Sequence, residues 1–288
     1  MPAGSSVEAQ FIPLIVMLLV FAGISFFQYL RQRRKRAAIQ TMMAPYRKGD
    51  FDGALKATEG LRGDARAYCY FRGAILMHLG DLNEAETLLQ QSIQLSERAM
   101  RLLQTKGPQA SAALKRQTRL MALSRSTLGE LYLDRGRYNE ALRCFEAGLE
   151  DWPARGGFHR GIAETWLRRG EDSSQALKWA KLAVDEERAS KEYSQEVRDT
   201  NLGEALATLA WAVAAESRDR SEVDRLVGEA QSKVGTGLVS SSAQVQYLSG
   251  RAYEALGDTS RSVQHFTEAS RIDSRGRWGR AARAAAHA

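Results

Sequence analysis

Cysteine is nearly absent: Cys69 and Cys144 are the only two in 288 residues. They make no disulfide framework and lack the second pair that a zinc site needs, so each reads as a small apolar residue in a helical pattern. Histidine is almost as scarce. His78, His159, His265 and His287 stand apart, with no other ligand at metal-binding spacing. No His-Glu-x-x-His, no Ser/His/Asp order and no paired-carboxylate signal occurs, so no catalytic residue, metal or cofactor is expected. The nearest approach to a phosphate loop, Lys233-Val-Gly-Thr-Gly, lacks both the required spacing and a preceding strand, and reads as a loop. Only five prolines interrupt a chain rich in Ala, Leu, Arg and Glu. That mixture favours helix almost throughout.

Charge of one sign is lacking where a nucleic-acid surface would need it. The net charge is +7, but residues 1–36 contribute +4 and the tail from Arg271 to Ala288 another +4, leaving the body at −1. A phosphate-backbone binder carries its basic excess on the folded binding surface, so no nucleic-acid partner is expected.

What the chain has is one long apolar run. Phe11–Leu30 reads FIPLIVMLLVFAGISFFQYL, twenty residues without a charge. About twenty such residues at ~1.5 Å each cross a ~30 Å hydrocarbon core, which predicts a transmembrane helix over 11–30 and a lipid bilayer as its partner. A cleaved signal peptide would carry positive charge before the run. Here Glu8 precedes it, and Arg31, Arg33, Arg34, Lys35 and Arg36 follow. That asymmetry places the C-terminal side in the cytoplasm and residues 1–10 outside, with a basic stem over 31–38.

Beyond the stem the chain repeats itself. From Gly129 the unit continues with Tyr132, Gly136, Tyr138, Ala141, Phe145, Gly148 and Pro153. The frame returns as Gly250, Tyr253, Gly257 and Phe266, as Gly73, Gly80, Ala85 and Leu89, and as Ala163, Gly170 and Ala176 with one residue inserted in the turn. A degenerate opening copy holds Gly49 and Ala54, and a fifth, weak copy holds Arg218 where the turn glycine belongs. This pattern resembles the tetratricopeptide repeat. The resemblance implies an all-α fold: an N-terminal transmembrane helix, then a right-handed α-solenoid of about six helical hairpins over 39–273, ending in a basic Ala/Arg-rich tail over 274–288. Such hairpins are apolar on two sides and must stack. The step from Gly80 to Gly136 is 22 residues longer than the 34-residue step from Gly136 to Gly170. This predicts a lengthened helix pair around a Gly107-Pro108 break, and a second lengthening near 187–201.

The resemblance also implies a concave groove lined by the first helix of each hairpin. Its candidate protein-binding residues are Tyr70, Met77, His78, Glu130, Asp134, Arg160, Glu164, Arg168, Tyr247, Arg251 and Glu254. Members that hold a peptide's terminal carboxylate do so with Lys and Asn. Those positions here hold Tyr70 and Ala74, Ser126 and Glu130, Arg160 and Glu164, and Tyr247 and Arg251, so that clamp is absent. Arg277 and Arg280 fall in the tail, outside the repeats.

The expected function is a membrane-anchored scaffold for protein or peptide partners. The Ala/Arg/Gly-rich composition is that of a GC-rich bacterial genome, which points to a bacterial inner membrane. The layout resembles that of bacterial lipopolysaccharide-assembly regulators, though without their paired Cys-x-x-Cys module. The alternative is a translocation receptor, whose anchor-then-repeat layout mitochondrial import receptors share. A hydrolase or transferase would rest on no recognisable residue. The topology is checked by a reporter active only in the cytoplasm: fused after Ala288 it should work. Neutralising Arg31, Arg33, Arg34, Lys35 and Arg36 should mix the orientations. Activity of a periplasm-only reporter after Ala288 in the unaltered chain would reverse the assignment.

Overall fold

The computed structural model describes residues 26, 29–153, 155–234 and 238–287. Among them no strand occurs, and no helix is long and apolar enough to cross a membrane. The span expected over Phe11–Leu30 lies, apart from Phe26, Tyr29 and Leu30, outside the described residues.

Six helical hairpins follow in chain order. The first pairs α1, over 29–47, with the short α2, Phe51–Ala57. The second pairs α3 (Ala65–Leu79) with α4 (Leu82–Gln104), and the third pairs α5 (Ser111–Asp134) with α6 (Tyr138–Asp151). Then come α7 (Gly156–Arg169) with α8 (Ser173–Ala189), α9 (Gln195–Glu216) with α10 (Arg220–Lys233), and α11 (Val239–Ala255) with α12 (Thr259–Ile272). The last helix described is α13 (Arg277–Ala286). The segment expected as a basic tail is therefore a folded helix.

The turn inside each hairpin is written in two positions. A left-handed residue stops the first helix, and all six expected stops have positive φ: Gly49, Gly80, Gly136, Gly170, Arg218 and Gly257. An aspartate then starts the second helix by accepting a backbone N–H bond with its carboxylate, as an N-cap should. Asp50, Asp81, Asp219 and Asp258 follow their stop directly, and Asp172 follows after the inserted Glu171. The third hairpin lacks this cap, because Arg137 holds the position.

Packing between hairpins turns on single aromatics against bare backbone. Phe145 on α6 is fully buried between two helices. A Cβ on Gly129 of α5 would lie 2.7 Å from its ring, and one on Gly161 of α7 only 2.5 Å. Within the last hairpin, the Phe266 ring lies in the same way beneath Gly250, 2.5 Å from where a Cβ would stand. Ala141, at the crossing of α5 and α6, has no exposed surface. Trp166 and Trp179 pack on both large apolar clusters and make the core continuous from the second hairpin to the last.

The second hairpin's return helix and its successor are long, 23 residues in α4 and 24 in α5, with the break at Gly107-Pro108. The array also curls until its ends meet. Arg47 of the first hairpin pairs with Glu196 of α9 at 3.5 Å. A Cβ on Gly49 would stand 3.1 Å from Val239 of α11.

Arg218 alone among the non-glycine residues described has positive φ, at 54°. An L side chain there is strained by about 1 kcal/mol, so Arg218→Gly should stabilise the chain by that amount. Gly136→Ala, at φ 68° with open space around its Cβ, should destabilise it similarly. Thermal unfolding in detergent reads both changes. Two unchanged melting temperatures would mean that these turns carry no such strain.

Candidate partner-binding groove

The groove is built by positions one helical turn apart. Glu130 and Asp134 lie on one face of α5, and Arg160, Glu164 and Arg168 on one face of α7. Spacing of four residues keeps such side chains neighbours. The sequence frame placed all five on the concave wall, and the structure brings all five together.

They are not free. Arg277 of α13 donates from Nε to Asp134 Oδ2 at 2.5 Å and from Nη1 to Glu130 Oε2 at 2.6 Å. Its Nη2 also donates to Asp134 Oδ1 at 3.0 Å. Arg160 pairs with Glu130 at 3.2 Å and with Glu164 at 3.7 Å. Arg168 pairs with Glu164 at 2.6 Å and with Asp134 at 3.7 Å. The six groups thus form a closed cycle of alternating sign. Glu204 of α9 adds a fourth carboxylate, 3.4 Å from Arg160.

The cycle is deeply sequestered: the side chain of Glu164 is 2 % exposed and that of Arg277 4 %. Burial opposes charge on Arg277, but Asp134 and Glu130 outweigh it and hold the guanidinium charged above its ordinary range. Burial likewise pushes the Glu130 carboxyl up, and Arg277 and Arg160 more than reverse the shift. On Glu204 burial prevails over Arg160, and its carboxyl is raised.

Three features seat α13. Gly276 N–H and Trp278 N–H both donate to the Asp273 carboxylate. Gly279 passes so close to the Asp273 carbonyl that a Cβ would lie 1.8 Å from it. Trp278 is 2 % exposed, its ring 5.4 Å from Tyr247 and beneath the Arg277 guanidinium. Further along, Arg280 donates to the carbonyls of His78 and Met77 at the end of α3. Both carbonyls lie in the last turn of α3, where that of Met77 also accepts the Gly80 N–H at 3.3 Å.

The remaining expected groove residues divide. Met77 and His78 are buried. His78 accepts or donates a bond with the Tyr46 hydroxyl at 3.0 Å and stacks on Phe51. Burial, then Arg277, pulls its pKa down to about 3, so it stays neutral. Tyr247 is covered by Trp278, and Tyr70 is half-buried against Phe71. Arg251 and Glu254 pair with each other at the mouth, 32 % and 43 % exposed.

Placing Arg277 and Arg280 outside the repeats is corrected: both are groove residues. The signal lay in Trp278, a large aromatic that a solvated tail has no reason to carry. Glu204 was also missed; it stands one turn before Thr208, the α9 counterpart of Arg160 in the weakest repeat copy. Among the described residues no group of His, Cys, Asp and Glu is arranged to hold a metal. Burial raises the Cys144 thiol to about 11, and raises Cys69 as well.

A curled stack of two-helix units with a concave, side-chain-lined groove defines a helical-repeat interaction domain. The tetratricopeptide-repeat family models match residues 72–100, 126–192 and 243–275. The chain is a tetratricopeptide-repeat protein. A search of the curated proteins finds no match. Among solved structures it is similar to BtubC (BKLC) from P. vanneervenii, at 15% identity and a TM-score of 0.44, covering 84% of this chain and 91% of that one. It is also similar to a tetratricopeptide repeat protein from Parabacteroides merdae, at 14% identity and a TM-score of 0.36, covering 83% and 93%.

Removing one member of a buried ion cluster strands its partners, at a cost of about 3–5 kcal/mol. Arg277→Ala should lower stability by that much. Adding Glu130→Gln and Asp134→Asn should recover most of the loss, because neutral amides need no counter-charge. Thermal melts of the single and triple variants decide it, and a triple variant less stable than Arg277→Ala alone would refute the coupling.

Proposed function

We propose that this protein is a membrane-anchored interaction scaffold whose concave groove takes a helical, arginine-bearing segment of a partner protein. One observation carries the reading: the groove already holds such a segment, α13, whose Arg277 is gripped by two carboxylates of α5. A surface that selects by opposite charge favours a guanidinium there, and bidentate pairing adds geometric selection to the attraction. In this reading α13 is an internal occupant that a partner displaces or joins. Tetratricopeptide repeats generally bind proteins, which is consistent with it. The anchor is Phe11–Leu30, supported by its length, its lack of charge and the basic cluster behind it. The same asymmetry favours the repeats in the cytoplasm, and the Ala/Arg/Gly-rich composition favours a bacterial inner membrane.

Two variants separate groove chemistry from mere loosening of α13, because both break the same clasp. Arg277→Ala frees Glu130 and Asp134 for a partner, whereas Glu130→Gln with Asp134→Asn removes the receiving charges. Affinity capture of the detergent-solubilised full chain should recover more partner with the first and less with the second, relative to the unaltered chain. Equal recovery by both variants would overturn the groove as the binding surface.

A further inference from the structure

The lengthened α4–α5 hairpin emerges at the same edge of the array as the start of α1, where Tyr29 and Leu30 end the apolar run. The start of α3 marks that edge. Ser92 and Gln117 reach Arg66 there, and Gln117 also reaches Ser96, so α4 beyond Ser96 and α5 before Gln117 project past it. On α1, Lys35 pairs with Asp64 at 2.6 Å and Arg31 donates to the Gly63 carbonyl at 2.9 Å. Residues 31–35 are therefore level with the same edge, and Leu30 stands beyond it. The eight residues 97–104 of α4 extend about 12 Å outward at ~1.5 Å each. Back along α1, Tyr29 lies six residues before Lys35 and so about 9 Å outward at the same rise. The hairpin tip and the last two residues of the apolar run, Tyr29 and Leu30, therefore project to the same side.

The tip's chemistry is one-sided. Between residues 98 and 116 it carries Arg98, Arg101, Lys106, Lys115 and Arg116, with no aspartate or glutamate. All five are exposed. The nearest acids are engaged elsewhere: Glu97 faces Arg125, and Glu192 faces Arg119. Leu102, at the outer end of α4, is 67 % exposed, the largest value among the exposed large hydrophobics described. Basic side chains around a projecting leucine are suited to a surface that is anionic outside and apolar beneath.

We infer that the α4–α5 tip is a second membrane contact, seating its basic residues on anionic lipid headgroups and Leu102 at their base. This rests on Phe11–Leu30 being an anchor. The tether then holds the tip at the bilayer, so that a weak contact is made at high effective concentration. Two points of attachment fix the array's tilt, whereas one leaves it free to swing.

The test places a polarity-sensitive nitrobenzoxadiazole probe on Leu102→Cys in the full chain. Cys69 is buried and the Cys144 thiol is poorly ionised, so labelling near neutral pH is confined to residue 102. The chain is reconstituted into phosphatidylcholine vesicles, with or without phosphatidylglycerol. Emission should at least double and shift blue only in the anionic vesicles, and the change should reverse in high salt. Charge reversal by Arg101→Glu, Lys106→Glu and Lys115→Glu should abolish it, while a probe at Leu182→Cys on α8 stays aqueous throughout. Flotation of the vesicles separates the two readings. A chain that fails to float overturns the anchor and the tip contact together. A chain that floats while its probe stays aqueous overturns the tip contact alone. A probe that remains aqueous in anionic vesicles while the reversed chain loses a co-purifying protein assigns the tip to an acidic protein instead.

Discussion

Two carboxylates on one face of α5 and a guanidinium from the far end of the chain hold the array in its curled form. Glu130 and Asp134 are repeat positions that point into the concavity whatever else happens, because every first helix presents its face there. Seven charged groups gathered there with little water would be costly unless alternation of sign were complete around the ring. Arg277 completes it. Its side chain links the third hairpin to the capping helix, and Arg160 carries the linkage through Glu204 to the fifth. The groove's shape, the position of α13 and the meeting of the array's ends all depend on this one cycle.

Much of this was legible before any coordinates. The six helix stops were named from spacing alone, Arg218 included, because a hairpin of fixed length needs a left-handed residue at a fixed place. The groove positions on α5 and α7 followed from the same frame. What the frame could not carry was closure. A repeat pattern encodes contacts between neighbours, whereas Arg277 reaches Asp134 across 143 positions and Arg280 reaches His78 across 202. No periodicity registers partners so distant, and a run of Ala and Arg at the end of a chain reads as solvated until Trp278 is weighed. The capping aspartates are a second signal that the repeat frame does not contain: Asp50, Asp81, Asp219 and Asp258 follow their stop directly, and Asp172 one residue later.

The distribution of charge now has a physical sense. The basic surplus at the two ends does different things: one end flanks the apolar run, and the other is drawn inside the repeats. The body's near-neutral balance conceals strong local order, with its acids and bases paired along the concave wall. A third basic group, at the α4–α5 tip, has no acid between its residues and stands apart from both.

Closure also dictates an order of events during synthesis. Arg277, which completes the neutralisation of Glu130 and Asp134, is made 143 positions after Asp134 and after all six hairpins. Until it emerges, the third, fourth and fifth hairpins hold a groove with more carboxylates than guanidiniums, open to water along its length. The nascent array can stack hairpin on hairpin as each is completed, since each needs only its neighbour. The final fold must wait for contacts between segments 143 and 202 positions apart, the kind that is slowest to form. Throughout that interval the unfinished chain exposes the same acidic wall that a helical partner would meet, so nascent chains on one messenger offer each other a ready site for the wrong helix.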